Sequence, residues 1–164
     1  MKKIILLTAI ITLIFSACKT PVVNTNNNRP NRYLPELLGD IVFKMPLSEV
    51  QAIRTNLAPV EYLTDAFSFR KEFVEEINQE GIKKVIYYFD TDEPQVFYEV
   101  IIVFDSEEKR DAEATRLLGQ ENFQNNTEWM IESRQNFKVH AWKFEKKLVV
   151  AALLPGTEWG ESAD

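Results

Sequence analysis

Between Tyr33 and Trp159 the spacing of apolar positions changes period several times, and each change marks an element. Leu47, Val50, Ile53 and Leu57 recur three and four residues apart, with Pro46 or Ser48 able to begin the turn. They predict one amphipathic helix that ends before Pro59. The next segment alternates: Phe67, Phe69, Phe73 and Ile77 fall on one side, and Ser68, Arg70, Glu72 and Glu76 on the other, as in a half-buried strand. Gly81 turns the chain into a second strand, Lys83 to Phe89. A third, Val96 to Phe104, follows the hairpin loop Asp90-Thr91-Asp92-Glu93-Pro94.

A second helix begins at Asp105 or Ser106, carries Glu107 and Glu108 where the helix dipole favours acids, and stops at Gly119, with Ala114, Leu117 and Leu118 as its apolar face. Three more strands follow, at Glu128 to Glu132, Phe137 to Phe144 and Leu148 to Leu154, turned at Ser133-Arg134-Gln135-Asn136 and Glu145-Lys146. The order is helix and three strands, twice over. Short connections make sequential strands antiparallel, so the expected fold is α+β: tandem α-β-β-β repeats forming one antiparallel sheet with two helices packed on one face.

The doubled α-β-β-β unit, together with Met45-Pro46-Leu47-Ser48-Glu49-Val50 at the start of the first helix, resembles the β-lactamase-inhibitor-protein fold. That fold is shared with the small SmpA/OmlA lipoproteins of the outer membrane. The resemblance implies a protein that works by contact, inhibiting an enzyme or stabilising an envelope assembly, rather than by catalysis.

The amino terminus has a different grammar. Lys2 and Lys3 precede an apolar run from Ile4 to Phe15, then the small residues Ser16 and Ala17 directly before Cys18. This is the layout of a secretory signal over residues 1–17, and the run falls short of the roughly 20 apolar residues of a membrane span. Phe15-Ser16-Ala17-Cys18 resembles the lipobox, which implies cleavage before Cys18 and lipid on that cysteine. Cys18 is the single cysteine of the chain, so an internal disulfide is excluded. Lys19 and Thr20 follow, and the lack of Asp at the second position resembles the sorting signal for the outer membrane, here at its periplasmic face. Residues 18–32, rich in Asn and Pro, read as a lipidated tether, and residues 33–160 as a single domain.

Charge narrows the partners. The formal charge is -6, and losing Lys2 and Lys3 with the signal and no acid makes it -8. An acidic body without a Lys/Arg cluster argues against nucleic acid and anionic lipid heads, leaving the lipid on Cys18 as the membrane attachment.

Candidate chemistry is sparse, and the expectation is no enzyme, no metal and no cofactor. His140 is the single histidine, which excludes a two-histidine metal site within one chain. It reads as a residue of a partly exposed sheet face, with a general base as the alternative. Asp90, Asp92 and Glu93 offer oxygens for calcium but suit a hairpin loop equally. Glu107, Glu108, Asp111 and Glu113, interleaved with Lys109 and Arg110, read as a solvated helix face. A sheet covered on one side leaves its other face open. In Phe137 to Phe144, Phe137, Val139 and Ala141 would meet the helices, which exposes Lys138, His140, Trp142 and Phe144. With Tyr87 and Tyr98 these form the expected contact surface for an envelope protein partner. A pocket for a small ligand or a glycan is the alternative.

Overall fold

A computed structural model of the chain describes residues 31–62 and 68–160. The signal segment, Cys18, the tether as far as residue 30, and Phe67 lie outside the described residues. Seven strands form one wholly antiparallel sheet: β1 (Ala58–Pro59), β2 (Arg70–Gln79), β3 (Ile82–Asp90), β4 (Phe97–Phe104), β5 (Trp129–Glu132), β6 (Lys138–Phe144) and β7 (Lys147–Leu153), in the spatial order β1-β2-β3-β4-β7-β6-β5. Two α-helices accompany it, α1 (Leu47–Ile53) and α2 (Glu107–Leu118), with a short 3-10 turn at Glu36–Leu38. The class is α+β. The sequence predicts six strands; the seventh, β1, lies where helix one was expected to end. Pro59 has no N–H to give a ladder, so β1 sits at the sheet's margin.

Turn chemistry fixes the hairpins. Glu80 and Gly81, with φ of 53° and 81°, join β2 to β3 in the mirror-image turn that matches strand twist. Asn136 and Glu145 take up positive φ, 60° and 50°, in the turns flanking β6. The α2 start is capped by Ser106, whose hydroxyl accepts from Lys109 N–H at 3.3 Å, and its end by Gly119 at φ 77°.

One sheet face carries the core. Phe73, Val85, Tyr87, Phe89, Phe97, Val100, Ile102, Val139, Ala141, Leu148, Val150 and Trp129 are all buried and belong to one cluster with Leu47, Val50 and Ala114 of the helices. The segment before α1 closes the same face. Phe43 stacks on Phe97 at 5.1 Å and meets Phe137 edge-on at 6.2 Å, while Lys44 and Met45 exchange main-chain hydrogen bonds with Phe97, each 2.9 Å. On the other helix's side, Trp129 donates its indole N–H to the Gly119 carbonyl at 3.1 Å.

Four expectations need correction. Ile53 is 40% exposed and lies off the buried stripe of α1. The helix stops there because Arg54 turns away to bond Glu75 through two guanidinium nitrogens, at 3.0 and 2.8 Å. Phe69 precedes β2 and is 50% exposed, since the strand begins only at Arg70. Asn31 and Arg32, read as tether, are docked on the domain: Asn31 is buried and donates to the carbonyls of Leu38 and Ile41, and Arg32 donates to the Glu132 carbonyl at 3.3 Å.

Candidate functional site

The second sheet face is built from the residues that alternate with the core set. Cross-strand register lays them out in three rows. Val74, Ile86, Ile101, Val149 and Trp142 form the middle row across five strands. Glu72, Tyr88, Glu99, Ala151, His140 and Met130 form the row above, and Glu76, Lys84, Val103, Lys147 and Phe144 the row below. The middle row is entirely apolar; Val74, Ile86, Ile101 and Trp142 are partly exposed, while Val149 between Ile101 and Trp142 is buried. Their counterparts on the helix side are fully buried. Phe144, at the end of the lower row, is 56% exposed, with Lys147 Nζ 5.3 Å from its ring centre.

The upper row is covered by the turn after β7. Thr157 and Gly160 close that turn through hydrogen bonds to Leu154 and Thr157, and Trp159 lies back on the sheet. Its indole N–H donates to Glu99 Oε2 at 2.5 Å, and its ring meets Trp142 edge-on at 5.3 Å. Glu158 accepts from the Tyr98 hydroxyl at 3.0 Å and from Arg70 at 3.3 Å, whose guanidinium lies 4.0 Å from the centre of the Tyr88 ring. On the other side of Trp142 the chain of contacts continues. His140 packs against it at 4.8 Å, meets Phe123 edge-on at 5.5 Å, and places Nε2 2.6 Å from Glu128 Oε2. An aromatic and ionic band thus borders the apolar row along one long side.

Electrostatics in the band follow from burial. Glu99 is 3% exposed, and loss of hydration pushes its carboxyl up to about 7, opposed by the Trp159 hydrogen bond and reinforced by the neighbouring Glu158 charge. Burial also raises the Tyr98 and Tyr88 phenols, so both stay neutral at physiological pH and Tyr98 keeps its proton to donate to Glu158.

Trp142, His140, Lys138 and Phe144 share this face, as their alternation in the sequence implied. Tyr87 does not. It stands on the helix side, fully buried, donating to Glu75 Oε2 at 2.7 Å beside Arg54. Register pairs Tyr87 with Val100 and Phe73, both core residues, so its phase is opposite to that of Trp142. Tyr98 is 1% exposed beneath Glu158 and offers no contact surface. The residues that sequence reasoning missed are Val74, Ile86, Ile101, Val103 and Trp159. The lone Glu99 inside Phe97-Tyr98-Glu99-Val100 was the available signal for the phase of β4.

Elsewhere the chemistry resolves into local structure. The Asp90 carboxylate accepts from Asp92 N–H at 3.3 Å, as in an Asx turn. Glu107 and Asp111 flank Arg110 at 3.6 and 2.9 Å, and Glu113 pairs with Arg116 at 2.6 Å. Among the described residues no group of three or more His, Cys, Asp or Glu is placed to hold a metal ion, and no helix is long and apolar enough to cross a membrane. A shallow depression of about 310 Å³ lies between α2 and the sheet, lined by Ile82, Phe104, Lys109, Glu113 and Arg116 among others. Its cations are matched, Lys109 by Asp105 and Arg116 by Glu113, each at 2.6 Å. Comparison with protein-family models, with curated proteins and with solved structures finds no match to this chain.

Proposed function

We propose that the chain is a lipid-anchored envelope protein, acylated on Cys18 at the periplasmic face of the outer membrane, which works without catalysis by binding a protein partner on the open face of its sheet. The observation that carries this reading is the partly exposed apolar row Val74, Ile86, Ile101 and Trp142, ending beside the exposed Phe144. Apolar surface edged by polar groups is what protein contact sites use, with Trp as an anchor. The rim suits that role, with Lys84 and Lys147 below the row and Glu128, His140 and Arg70 above it. We read the chain as two α-β-β-β units, α1 with β2, β3 and β4, and α2 with β5, β6 and β7, meeting at the β4–β7 pair. This is the tandem layout of the inhibitor-like lipoproteins that the sequence resembles.

Small-ligand or glycan binding is the weaker reading, because the depression beside α2 is shallow and its cations are already paired, Lys109 with Asp105 and Arg116 with Glu113. The test is crosslinking of the tagged, acylated protein in cells, with recovery from membranes and mass spectrometry. Trp142→Ala and Ile101→Asp are run in parallel, with Glu113→Gln as a control on the other face. One reproducible protein partner, lost in both open-face variants and kept in the control, supports the reading. Equal capture by all four proteins, or no specific partner, refutes it.

A further inference from the structure

The open sheet face has a width, a length and a charged flank, and each limits what can lie on it. The upper row is roofed by the turn after β7. That turn reaches from Arg70 at the start of β2, held by Glu158, to Trp142 on β6, against which Trp159 packs. It forms a wall along one long side of the middle row. The lower row, from Glu76 on β2 to Phe144 on β6, runs along the other. Same-face side chains along a strand stand two residues apart, about 6.8 Å, so the two flanking rows are about 14 Å apart. That is room for one α-helix, about 10 to 12 Å across with its side chains. A partner sheet would lay several parallel rows of side chains on the face, and a second wholly apolar row to receive them is lacking. The upper row lies under the turn, and the lower one carries Glu76, Lys84 and Lys147. An added strand would take an edge of the sheet rather than its face.

Length agrees with width. Val74 on β2 and Trp142 on β6 lie at the two ends of a row that crosses five strands. Neighbouring strands are about 4.8 Å apart, so the row is about 19 Å long, the length of about 13 helical residues. Apolar residues on one face of a helix recur on average once per turn, about 5.4 Å, close to the 4.8 Å step of the row, so each turn sets one apolar side chain beside one strand. Charge adds a direction. Arg54, Arg70, Arg116 and Lys143 are each paired with a carboxylate. Lys84 and Lys147 differ: Lys84 faces Glu76 across the β2–β3 register without an ion pair, and Lys147 leans on the Phe144 ring. Among the described residues these two cations along the apolar row are left for an outside anion.

We propose that the partner presents an amphipathic helix, laid across the strands along the row from Val74 to Trp142, with an acidic flank against Lys84 and Lys147. The inference rests on the reading of this face as a protein-binding site and names the element that binds there. The apolar stripe of the helix meets Val74, Ile86, Ile101 and Trp142, its acidic flank closes on the two lysines, and its far flank abuts Trp159.

The experiment is photocrosslinking in cells by the full, acylated chain, with a photoreactive phenylalanine analogue in place of Val74, Ile101 or Phe144 in turn, and mass spectrometry of the joined peptides. These positions step across the face two strands at a time. Each step is about 10 Å, which spans about six or seven residues of a helix but only about three of an extended chain. Attachment to one partner segment at residues about seven apart supports the helix. Steps of about three, or attachment to separate segments, overturn it and leave the protein-binding reading standing. No crosslinked protein from any position overturns both. In parallel, Lys84→Glu combined with Lys147→Glu should lower capture about tenfold while the purified protein keeps the wild-type urea midpoint. If that variant unfolds, Lys84→Gln combined with Lys147→Gln takes its place, with a loss of about threefold. Capture equal to wild type in the folded variant overturns the acidic flank.

Discussion

Glu99 makes the stability of this fold depend on pH in the direction opposite to that of most carboxylates. Its carboxyl lies 3% exposed under Trp159, and burial raises it from 4.5 to about 7. Arg70, Glu72, Tyr88, Tyr98 and Glu158 surround it. In the unfolded chain it ionises near 4.5, so below that pH both states are protonated and the group costs nothing. Between 4.5 and 7 the unfolded state loses its proton first, and folding becomes progressively less favourable. Above 7 the penalty is complete. From linkage, with a shift from 4.5 to about 7, Glu99 should cost wild type about 2 to 3 kcal/mol between pH 5 and pH 8. Glu99→Gln keeps an acceptor for the Trp159 indole and removes the ionisation. Urea unfolding of both proteins at pH 5, 6, 7 and 8 isolates the effect, because the other titrating groups are common to both. The variant should approach wild type at pH 5 and be the more stable by about 2 to 3 kcal/mol at pH 8. A stability difference that stays flat with pH, or that favours wild type increasingly toward pH 8, refutes the reasoning.

Arg54→Met should destabilise by about 3 kcal/mol in urea unfolding, because it strands the buried Glu75 carboxylate. Tyr87→Phe, which removes one of that carboxylate's three hydrogen bonds, should cost about 1 to 2 kcal/mol in the same measurement. Gly119→Ala forces a side chain into φ 77° and ψ -145°, a region kept almost to glycine, with no atom nearby for it to strike, and should cost about 1 to 3 kcal/mol by thermal unfolding. Cys18→Ser should abolish incorporation of labelled palmitate and release the protein from membranes in a sedimentation assay. Retention of label in that variant would place the acyl group elsewhere.

Much of the element order was legible because most segments carry a clean period. Strand β6 is the clearest case: Phe137, Val139 and Ala141 alternate with Lys138, His140 and Trp142, and the structure puts the first set in the core and the second on the open face. Strand β3 gave no such phase, and β4 only the single signal of Glu99. Ile82 to Phe89 and Phe97 to Phe104 are apolar on both faces, since one side packs under the helices and the other forms the open row. Tyr87 and Tyr88 were therefore equivalent in sequence and lie on opposite faces. A register irregularity between Tyr88 and Phe89 complicates the phase further at Tyr98. Trp159 carried no pattern at all, because it follows the turn at Pro155-Gly156 and reaches the sheet through tertiary contact alone. The pair of bonds from Asn122 to Met130 was equally hidden, being made by a residue that reads as loop.

The position of β7 bears on how this chain becomes a folded protein. The last strand in chain order lies in the middle of the sheet, paired to β4 on one side and β6 on the other. Residues up to Phe144 hold two separate strand groups, β1 to β4 and β5 with β6, with no ladder between them. The sheet becomes continuous only once Lys147–Leu153 arrives and slots into the gap. Pairing of β4 with β7, between residues some fifty positions apart, is thus the non-local step that joins the two groups, and closure of the sheet has to wait for it.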